Sequence, residues 1–414
     1  MRGAGDPLTV GERVAFYRRR RGLSQATLAG LVGRSEDWLS KIERGEREIH
    51  RLDVLVEVSR ALRVTLGDLL GEPVLMEDEH RNDDIPAVRD ALMAPQRLSK
   101  RLFGGGVEPE YVDPKPVARW AEDAWSDYQG GRIGKVVAAL PRLIKTAQQM
   151  ESAGGDGSSY KRQCAAVSAR IHHLAATTLS KVGESDLAWI AAERAMQAAD
   201  VSDDPLVLAS AARSGTHALL AVGRFEDALE LGNTAARWLV PRMNDGDAAA
   251  LSLYGMLHLR SATAAARDHD RGIANELLGK AETAAEALGE DANHWQTGFG
   301  PTNVALHRIS AGLDLGDVPF VVQRSQEIDT GAMPVERQVM HMIDYARALS
   351  MVAKDDDAVQ VLLTAEEKSP QLVRHSATAR EVVRTLYRRA PVTAGKKSSL
   401  LLALAERCRA VSAS

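Results

Sequence analysis

Apolar residues between positions 8 and 71 recur every three or four residues in five short stretches, which is the spacing of amphipathic helices. Ser24 and Ser35 stand directly before two of these stretches, where an N-cap side chain belongs. Gly33 supplies a turn between the two, and Gly45 ends the second. Residues 8–71 are therefore predicted to form a domain of five short helices.

A second helical region begins near residue 117 and continues to residue 411. Its Ala- and Leu-rich helices are separated by turns that lie 38 to 47 residues apart, near Gly183, Gly223, His269, Gly316 and Lys354. Helix pairs at such a period cannot bury their faces alone and must stack on one another. Residues 117–411 are therefore predicted to be a tetratricopeptide-like α-solenoid, with an irregular helical bundle as the alternative.

The stretch between these regions, residues 72–116, is acidic at its start and contains several prolines and a run of three glycines. These residues interrupt the helical pattern, so we predict a linker with one short helix. An aromatic content of only 4% disfavours sheets, which are enriched in aromatic residues. The whole chain is accordingly predicted to be all-α.

The net charge of −4 gives no indication of a nucleic-acid partner, but the charge is unevenly distributed. Residues 1–71 hold 13 Lys and Arg against 10 Asp and Glu, whereas the remainder holds 39 against 46. A basic head on an acidic body fits DNA binding by the head alone. An ordinary solvated helix face is the alternative explanation of the basic residues.

Several classes of function lack their sequence signatures. Cys164 and Cys408 are the only cysteines, stand far apart, and indicate neither a disulfide framework nor a zinc site. There is no P-loop, GxSxG, HExxH or CxxC motif. There is also no signal-peptide pattern and no apolar run of about 18 residues. We therefore expect a cytoplasmic, nucleoid-associated protein that is no enzyme and uses no metal or cofactor.

The segment GLSQATLAGLVGRSEDWLSKIERG, residues 22–45, resembles the Xre family of phage-repressor-like helix-turn-helix domains. Ten positions agree with the pattern of that family: Gln25, Leu28, Ala29, Val32, Gly33, Ser35, Leu39, Ile42, Glu43 and Gly45. The resemblance covers residues 9–71 and implies a lambda-repressor-like fold. It also implies that the second helix of the pair enters the major groove of double-stranded DNA.

The resemblance directs the N-terminal residues of this helix, Glu36, Asp37, Ser40 and Lys41, toward base edges. Lys41 is expected to read the O6/N7 edge of guanine. Glu36 or Asp37 either accepts a hydrogen bond from cytosine N4 or serves the helix N-terminus, which favours anionic side chains. Trp38 either packs against sugar-phosphate or a thymine methyl, or belongs to the edge of the domain core.

Phosphate contacts are predicted at the start of the preceding helix and at the end of the recognition helix and beyond it, from Gln25, Arg44 and Arg51. Ser35, at the N-cap of the recognition helix, completes the predicted set of DNA-binding residues. The family resemblance further implies a partly buried salt bridge between Arg18 and Glu43, which ties the first helix to the recognition helix.

One such domain buries too little surface for tight specificity. Related repressors dimerise and read half-sites about one helical turn, ~34 Å, apart. We therefore expect a homodimer and a pseudo-palindromic operator.

The combination of an Xre head with a tetratricopeptide-like array resembles two groups of regulators. One is the RRNPP group of peptide-pheromone receptors of Gram-positive bacteria; the other is a class of actinobacterial regulators, which the Ala- and Arg-rich composition fits better. In both, the resemblance implies that a peptide or small molecule binds the concave face and changes DNA affinity. The alternative is a DNA-tethered scaffold whose array binds a partner protein.

The strongest ligand-binding candidates lie in the segment 294–317. Asn303, His307 and Arg308 are polar groups about one turn apart on a predicted helix. Asn303 can bond both the donor and the acceptor of an extended peptide backbone. In the alternative interpretation, Asn303 caps a neighbouring loop and His307 is a satisfied core histidine. Weaker candidates on other helices of the array are His258, Arg260, Arg337 and His341.

Overall fold

The computed structural model describes residues 9–21, 23–49, 52–62, 64, 69, 85–95, 111–152, 158–390 and 396–410. The chain divides into two compact units, Met1–Ala87 and Val88–Ser414. Every regular element of the described residues is a helix, apart from one isolated antiparallel bridge between Ala292 and Phe299. The predicted all-α class is therefore confirmed. Among the described residues, none of the helices has the length and hydrophobicity needed to span a bilayer.

The head contains α1 (Val10–Arg20), α2 (Gln25–Leu31), α3 (Glu36–Glu43) and α4 (Leu52–Leu62). Their apolar faces meet in one small core, formed by Val14, Tyr17, Leu28, Ala29, Val32, Leu39, Val54, Val58, Leu62 and Leu69. This core includes four of the residues that match the Xre pattern. Leu69 is the one described residue of the predicted fifth helix, whose other apolar residues, Leu66 and Leu70, lie outside the described part of the chain.

The predicted linker is described only in part, because residues 72–84 and 96–110 lie outside the described residues. Its described portion contains α5 (Ile85–Leu92). The linker assignment therefore stays a prediction.

Two helices of the head approach each other closely at Gly11. A Cβ added to Gly11 of α1 would overlap the carbonyl oxygen of Ile42 in α3. Because backbone cannot move aside as a flexible side chain can, only glycine allows α1 to pack this closely on the recognition helix. Gly11 therefore helps to fix the position of α3.

The second unit continues the helical order. Its helices are α6 (Pro114–Gln129), α7 (Ile133–Ser152), α8 (Ser159–Lys181), α9 (Ser185–Ser202), α10 (Pro205–Ala221), α11 (Phe225–Asn244), α12 (Ala248–Arg267), α13 (Arg271–Leu288), α14 (Pro301–Asp314), α15 (Val318–Ser325), α16 (Val335–Met351), α17 (Asp355–Lys368), α18 (Pro370–His375), α19 (Ala377–Arg389) and α20 (Lys396–Arg407). A short 3-10 helix, His294–Gln296, lies between α13 and α14.

Five turns of the second unit share one backbone arrangement. Each contains a left-handed residue with φ between +59° and +86°: Gly183, Gly223, His269, Gly316 and Ala353. The amide that follows this residue donates to the carbonyl five positions earlier at 2.8–3.0 Å, which is the hydrogen bond of a Schellman motif. The predicted turns are confirmed, including those where histidine or alanine replaces glycine.

Successive helix pairs of the second unit stack through their first helices. Helices α8, α10, α12, α14 and α16 each contact the next member of this series. Small side chains make the close approach possible: one core cluster contains Ala262, Ala265, Ala266, Ala274, Ala281, Ala284, Ala285 and Ala311. This stacking supports the predicted helical-repeat architecture, because each pair buries its apolar face against a neighbour.

We predict opposite effects of two glycine-to-alanine substitutions in the head. Gly11→Ala should destabilise α1 and α3 by about 1–3 kcal/mol, because the new methyl group overpacks against the Ile42 carbonyl. Gly30→Ala is the matched control: no atom lies within 4 Å of the new methyl group, and alanine favours the helix by about 0.5–1 kcal/mol. Hydrogen exchange of the head in the full chain measures both. Equal protection in the two variants would contradict the close α1–α3 contact.

Candidate nucleic-acid interface and ligand site

Helices α2 and α3 form a tight helix-turn-helix. The Ser24 and Ser35 hydroxyls cap α2 and α3 by accepting hydrogen bonds from the backbone amides of Thr27 and Trp38, at 3.0 and 3.2 Å. Gly33, with φ +62°, makes the turn that brings the chain from one helix into the other. Both caps and the turn therefore have the structure that the sequence predicted.

A buried carboxylate holds α3 against the two preceding helices. Glu43 accepts hydrogen bonds from Nε and Nη2 of Arg18 at 2.6 and 2.8 Å, and from Nε2 of Gln25 at 2.7 Å. Burial raises the pKa of Glu43, but the hydrogen bonds from Arg18 and Gln25 outweigh it and hold the pKa below its ordinary value. The salt bridge that the family resemblance implied is confirmed.

The part of α3 that does not pack on the head core is accessible and polar. Glu36 and Asp37 are exposed in its first turn, where carboxylates complement the helix dipole. The Lys41 ammonium lies 2.7 Å from Asp37 in an exposed pair. Ser40 is partly exposed beside Lys41, and Arg44 follows at the helix end. Four predicted base-reading residues therefore share one accessible surface, which we call the α3 face.

The remaining predicted DNA contacts have mixed surroundings. Trp38 packs at the edge of the head core, with the Arg34 guanidinium 5.7 Å from its ring centroid, as the domain-edge interpretation expects. Gln25 commits one of its two side-chain N–H groups to Glu43, so a phosphate contact has to use the other. Arg44 pairs with Glu46 at 3.1 Å on the surface. Arg51 lies outside the described residues.

Four of the seven ligand-binding candidates, Asn303, His307, Arg260 and Arg337, line a cavity in the second unit. Asn303 is 1% exposed; its Nδ2 donates to the carbonyl of Gly298 at 2.9 Å, and its Oδ1 accepts from Arg337 Nε at 2.9 Å. His307 Nδ1 lies 3.0 Å from the Asn303 carbonyl and 3.1 Å from Arg337 Nη2. Asn303 therefore holds the loop before α14, as the structural alternative expected, and also lines the cavity.

The other three candidates lie elsewhere. Arg308 is partly exposed and pairs with Glu282 at 3.0 Å. His258 is buried against Tyr254, with ring centroids 4.3 Å apart, and burial lowers its pKa to about 4. His341 Nε2 lies 3.4 Å from the Ser325 carbonyl. Unlike Asn303 and His307, none of these three side chains lines the cavity.

Three arginines from different helices dominate the cavity wall. They are Arg213 of α10, Arg260 of α12 and Arg337 of α16, and the cavity they line measures about 40 Å³. Sequence reasoning ranked Arg260 and Arg337 low and missed Arg213. The available signal was a cationic residue in the middle of a long Ala- and Leu-rich stretch, where burial is expected.

Burial shapes the electrostatics of this cavity. Burial, followed by the nearby Arg260 charge, lowers the pKa of Arg213 to about 10. Burial also lowers the pKa of Arg260 and of Arg337. The only carboxylate in the lining, Glu336, is paired with Lys181 at 2.7 Å. The cavity therefore concentrates positive charge in a poorly solvated place.

Comparisons with known proteins agree with the geometry of the head. A family model described as a helix-turn-helix domain matches residues 9–71. The immunity repressor protein of Bacillus phage phi105 is 30% identical over 95 residues, which are 23% of this chain and 65% of the repressor. The chain thus spans just under two thirds of that curated relative.

A solved structure also matches the chain. The crystal structure of Bacillus thuringiensis PlcR in complex with the peptide PapR7 and DNA aligns with 68% of this chain and 95% of its own, at 15% identity and a TM-score of 0.29. The family match and the phage relative agree with the helix geometry, so the head is a helix-turn-helix domain. It precedes a helical-repeat region.

We predict that Glu43 and Lys41 differ in their contributions to stability. Glu43→Ala leaves the buried Arg18 charge without its carboxylate and should cost about 3–5 kcal/mol of local unfolding free energy. Lys41→Ala removes one partner of an exposed pair and should change stability by less than about 0.5 kcal/mol. Hydrogen exchange of α1–α3 in the full chain measures both values. Equal losses of protection would show that Glu43 is not the structural anchor.

Proposed function

We propose that this protein is a sequence-specific DNA-binding transcriptional regulator that acts on the cytoplasmic nucleoid. The observation that carries the proposal is the division of α3 into two faces. One face is fixed by Glu43 and by the contact with Gly11, whereas the α3 face exposes Glu36, Asp37, Ser40 and Lys41. A rigid helix with a free polar face can enter the major groove and place these side chains at base edges.

Docking on DNA requires Lys41 to leave Asp37. This costs little, because an exposed i,i+4 pair contributes only about 0.3–0.5 kcal/mol. The freed ammonium then donates to a guanine edge, for which a good contact is worth about 1–3 kcal/mol. Asp37 and Glu36 either accept from cytosine N4 or stay at the N-terminus of α3.

We further propose that ligand binding in the second unit modulates DNA affinity. The support is the cavity in which Asn303, His307 and the three arginines meet, since convergent polar groups in a buried site are typical of ligand recognition. A ligand that binds two conformations of the chain unequally shifts the balance between them, and DNA affinity follows if the conformations differ in it.

We predict that Lys41→Ala lowers affinity for the operator about 10- to 100-fold and relaxes specificity at one base pair, because a bidentate base contact is lost. Lys280→Ala is the matched control. Lys280 is also an exposed lysine paired with a carboxylate four positions earlier, Glu276 at 2.7 Å, but it lies in the second unit. Footprinting and mobility-shift titrations at fixed salt measure both. Unchanged operator affinity for Lys41→Ala would contradict the proposal that α3 lies at the DNA interface.

We also predict that the full chain is a homodimer that reads a pseudo-palindromic operator with half-sites about 34 Å apart. A single head presents one short recognition helix, and two heads double the contacts. Sedimentation of the full chain, free and on operator DNA, measures the stoichiometry. A monomer in both conditions would contradict the dimer.

A further inference from the structure

The arginine-lined cavity of the second unit has an excess of positive charge. Among the described residues, Arg213 donates only to the carbonyls of Trp295 and Gln296, both at 3.3 Å. Arg337 donates to Asn303 and lies beside His307. Neither forms an ion pair with any carboxylate of the described residues.

Arg260 is the least satisfied of the three. Its Nε is buried and has no hydrogen-bond partner among the described residues, and no carboxylate there pairs with its guanidinium. Leaving a buried donor unsatisfied costs about 1–3 kcal/mol, and more when the group is charged. An arginine that served only to hold the fold would be expected to have such a partner.

The acidic groups near the cavity do not neutralise it. Glu336 is the carboxylate in the lining, and Lys181 already compensates its charge at 2.7 Å. Asp344, a partly buried carboxylate outside the lining, offsets part of the Arg337 charge, so the three arginines retain an excess of positive charge rather than a full balance. Their mutual repulsion falls when an anion binds between them, and the poor solvation strengthens that attraction.

An open cleft adjoins the cavity. The cleft has a volume of about 510 Å³, and its lining shares Gln129, Gly298 and Pro334 with the cavity lining. At this boundary the side-chain amides of Gln129 and Asn293 form two reciprocal hydrogen bonds of 2.9 Å. The cavity, at about 40 Å³, has room for roughly three waters, which is the size of one small anionic group.

We infer that the effector of this regulator is an organic anion, whose carboxylate or phosphate group binds to Arg213, Arg260 and Arg337 in the cavity while the rest of the molecule occupies the adjoining cleft. That the anion is an effector rests on the proposed function, whereas the anion site itself is inferred from the cavity alone. Arginine forms bidentate hydrogen bonds with both carboxylate and phosphate, so three arginine side chains suit either chemistry.

Differential scanning calorimetry of the full chain with inorganic phosphate and, separately, with acetate tests the site without DNA. At about 100 times its Kd, the binding anion should raise the Tm of the second unit by about 4 °C, with ionic strength matched by sodium chloride. A shift with phosphate alone identifies a phosphate ligand, and a shift with acetate alone identifies a carboxylate. No binding of either anion to the wild-type chain would overturn the site.

The variant Arg260→Gln separates a binding role from a structural one. It should abolish the anion-induced shift and raise the Tm of the anion-free chain, because an unpaired buried charge is removed. Arg308→Gln is the control, since Arg308 of the same second unit lies outside the cavity lining and pairs with Glu282; it should retain the wild-type shift. A lower Tm for Arg260→Gln together with a retained anion shift would contradict the inference. Arg260→Lys, which keeps the charge, should retain part of the shift.

Measuring DNA affinity with and without the anion distinguishes the two proposals. At least a fivefold change supports the effector role. Anion binding that is lost in Arg260→Gln, but leaves DNA affinity unchanged, supports the anion site and overturns the proposed regulation.

Discussion

The head is organised around one buried carboxylate. Glu43 of α3 receives hydrogen bonds from Arg18 of α1 and Gln25 of α2, so a single side chain fixes the recognition helix to both preceding helices. A buried charge of this kind is stable only while its partners remain, and removing one of them leaves the other uncompensated. Contacts on the buried side of α3 therefore fix its position, which leaves its outer face available for contacts with a partner.

The second unit differs from the head because some of its buried charges have no ion-pair partner in the part of the chain that the structure describes. Lys181 and Glu336 form a matched pair, as Arg18 and Glu43 do in the head, but no carboxylate of the described residues forms an ion pair with Arg213, Arg260 or Arg337. The three arginines lie on helices α10, α12 and α16, which belong to one stacked series, and their burial without an ion-pair partner is unfavourable. A ligand that supplies the missing negative charge also links these helices, so its binding can favour one packing of the series over another.

The sequence predicted the features that depend on neighbouring residues. Caps at Ser24 and Ser35, and turns with a left-handed residue, follow local rules that a short segment satisfies by itself. The family resemblance supplied the pair between Arg18 and Glu43, which local rules do not. The cavity required the tertiary structure, because Arg213 comes from a helix far along the chain from α14 and α16. Adjacent positions on a helix also differ by about 100°, so His307 lines the cavity while Arg308 points to the surface.

The most direct test of the account is genome-wide mapping of the sites that the full chain occupies, followed by footprinting of those sites. We expect a limited set of sites that share a pseudo-palindromic sequence, with protected half-sites about one helical turn apart. Occupancy without any preferred sequence, or no protected site on DNA, would contradict the claim that α3 reads DNA.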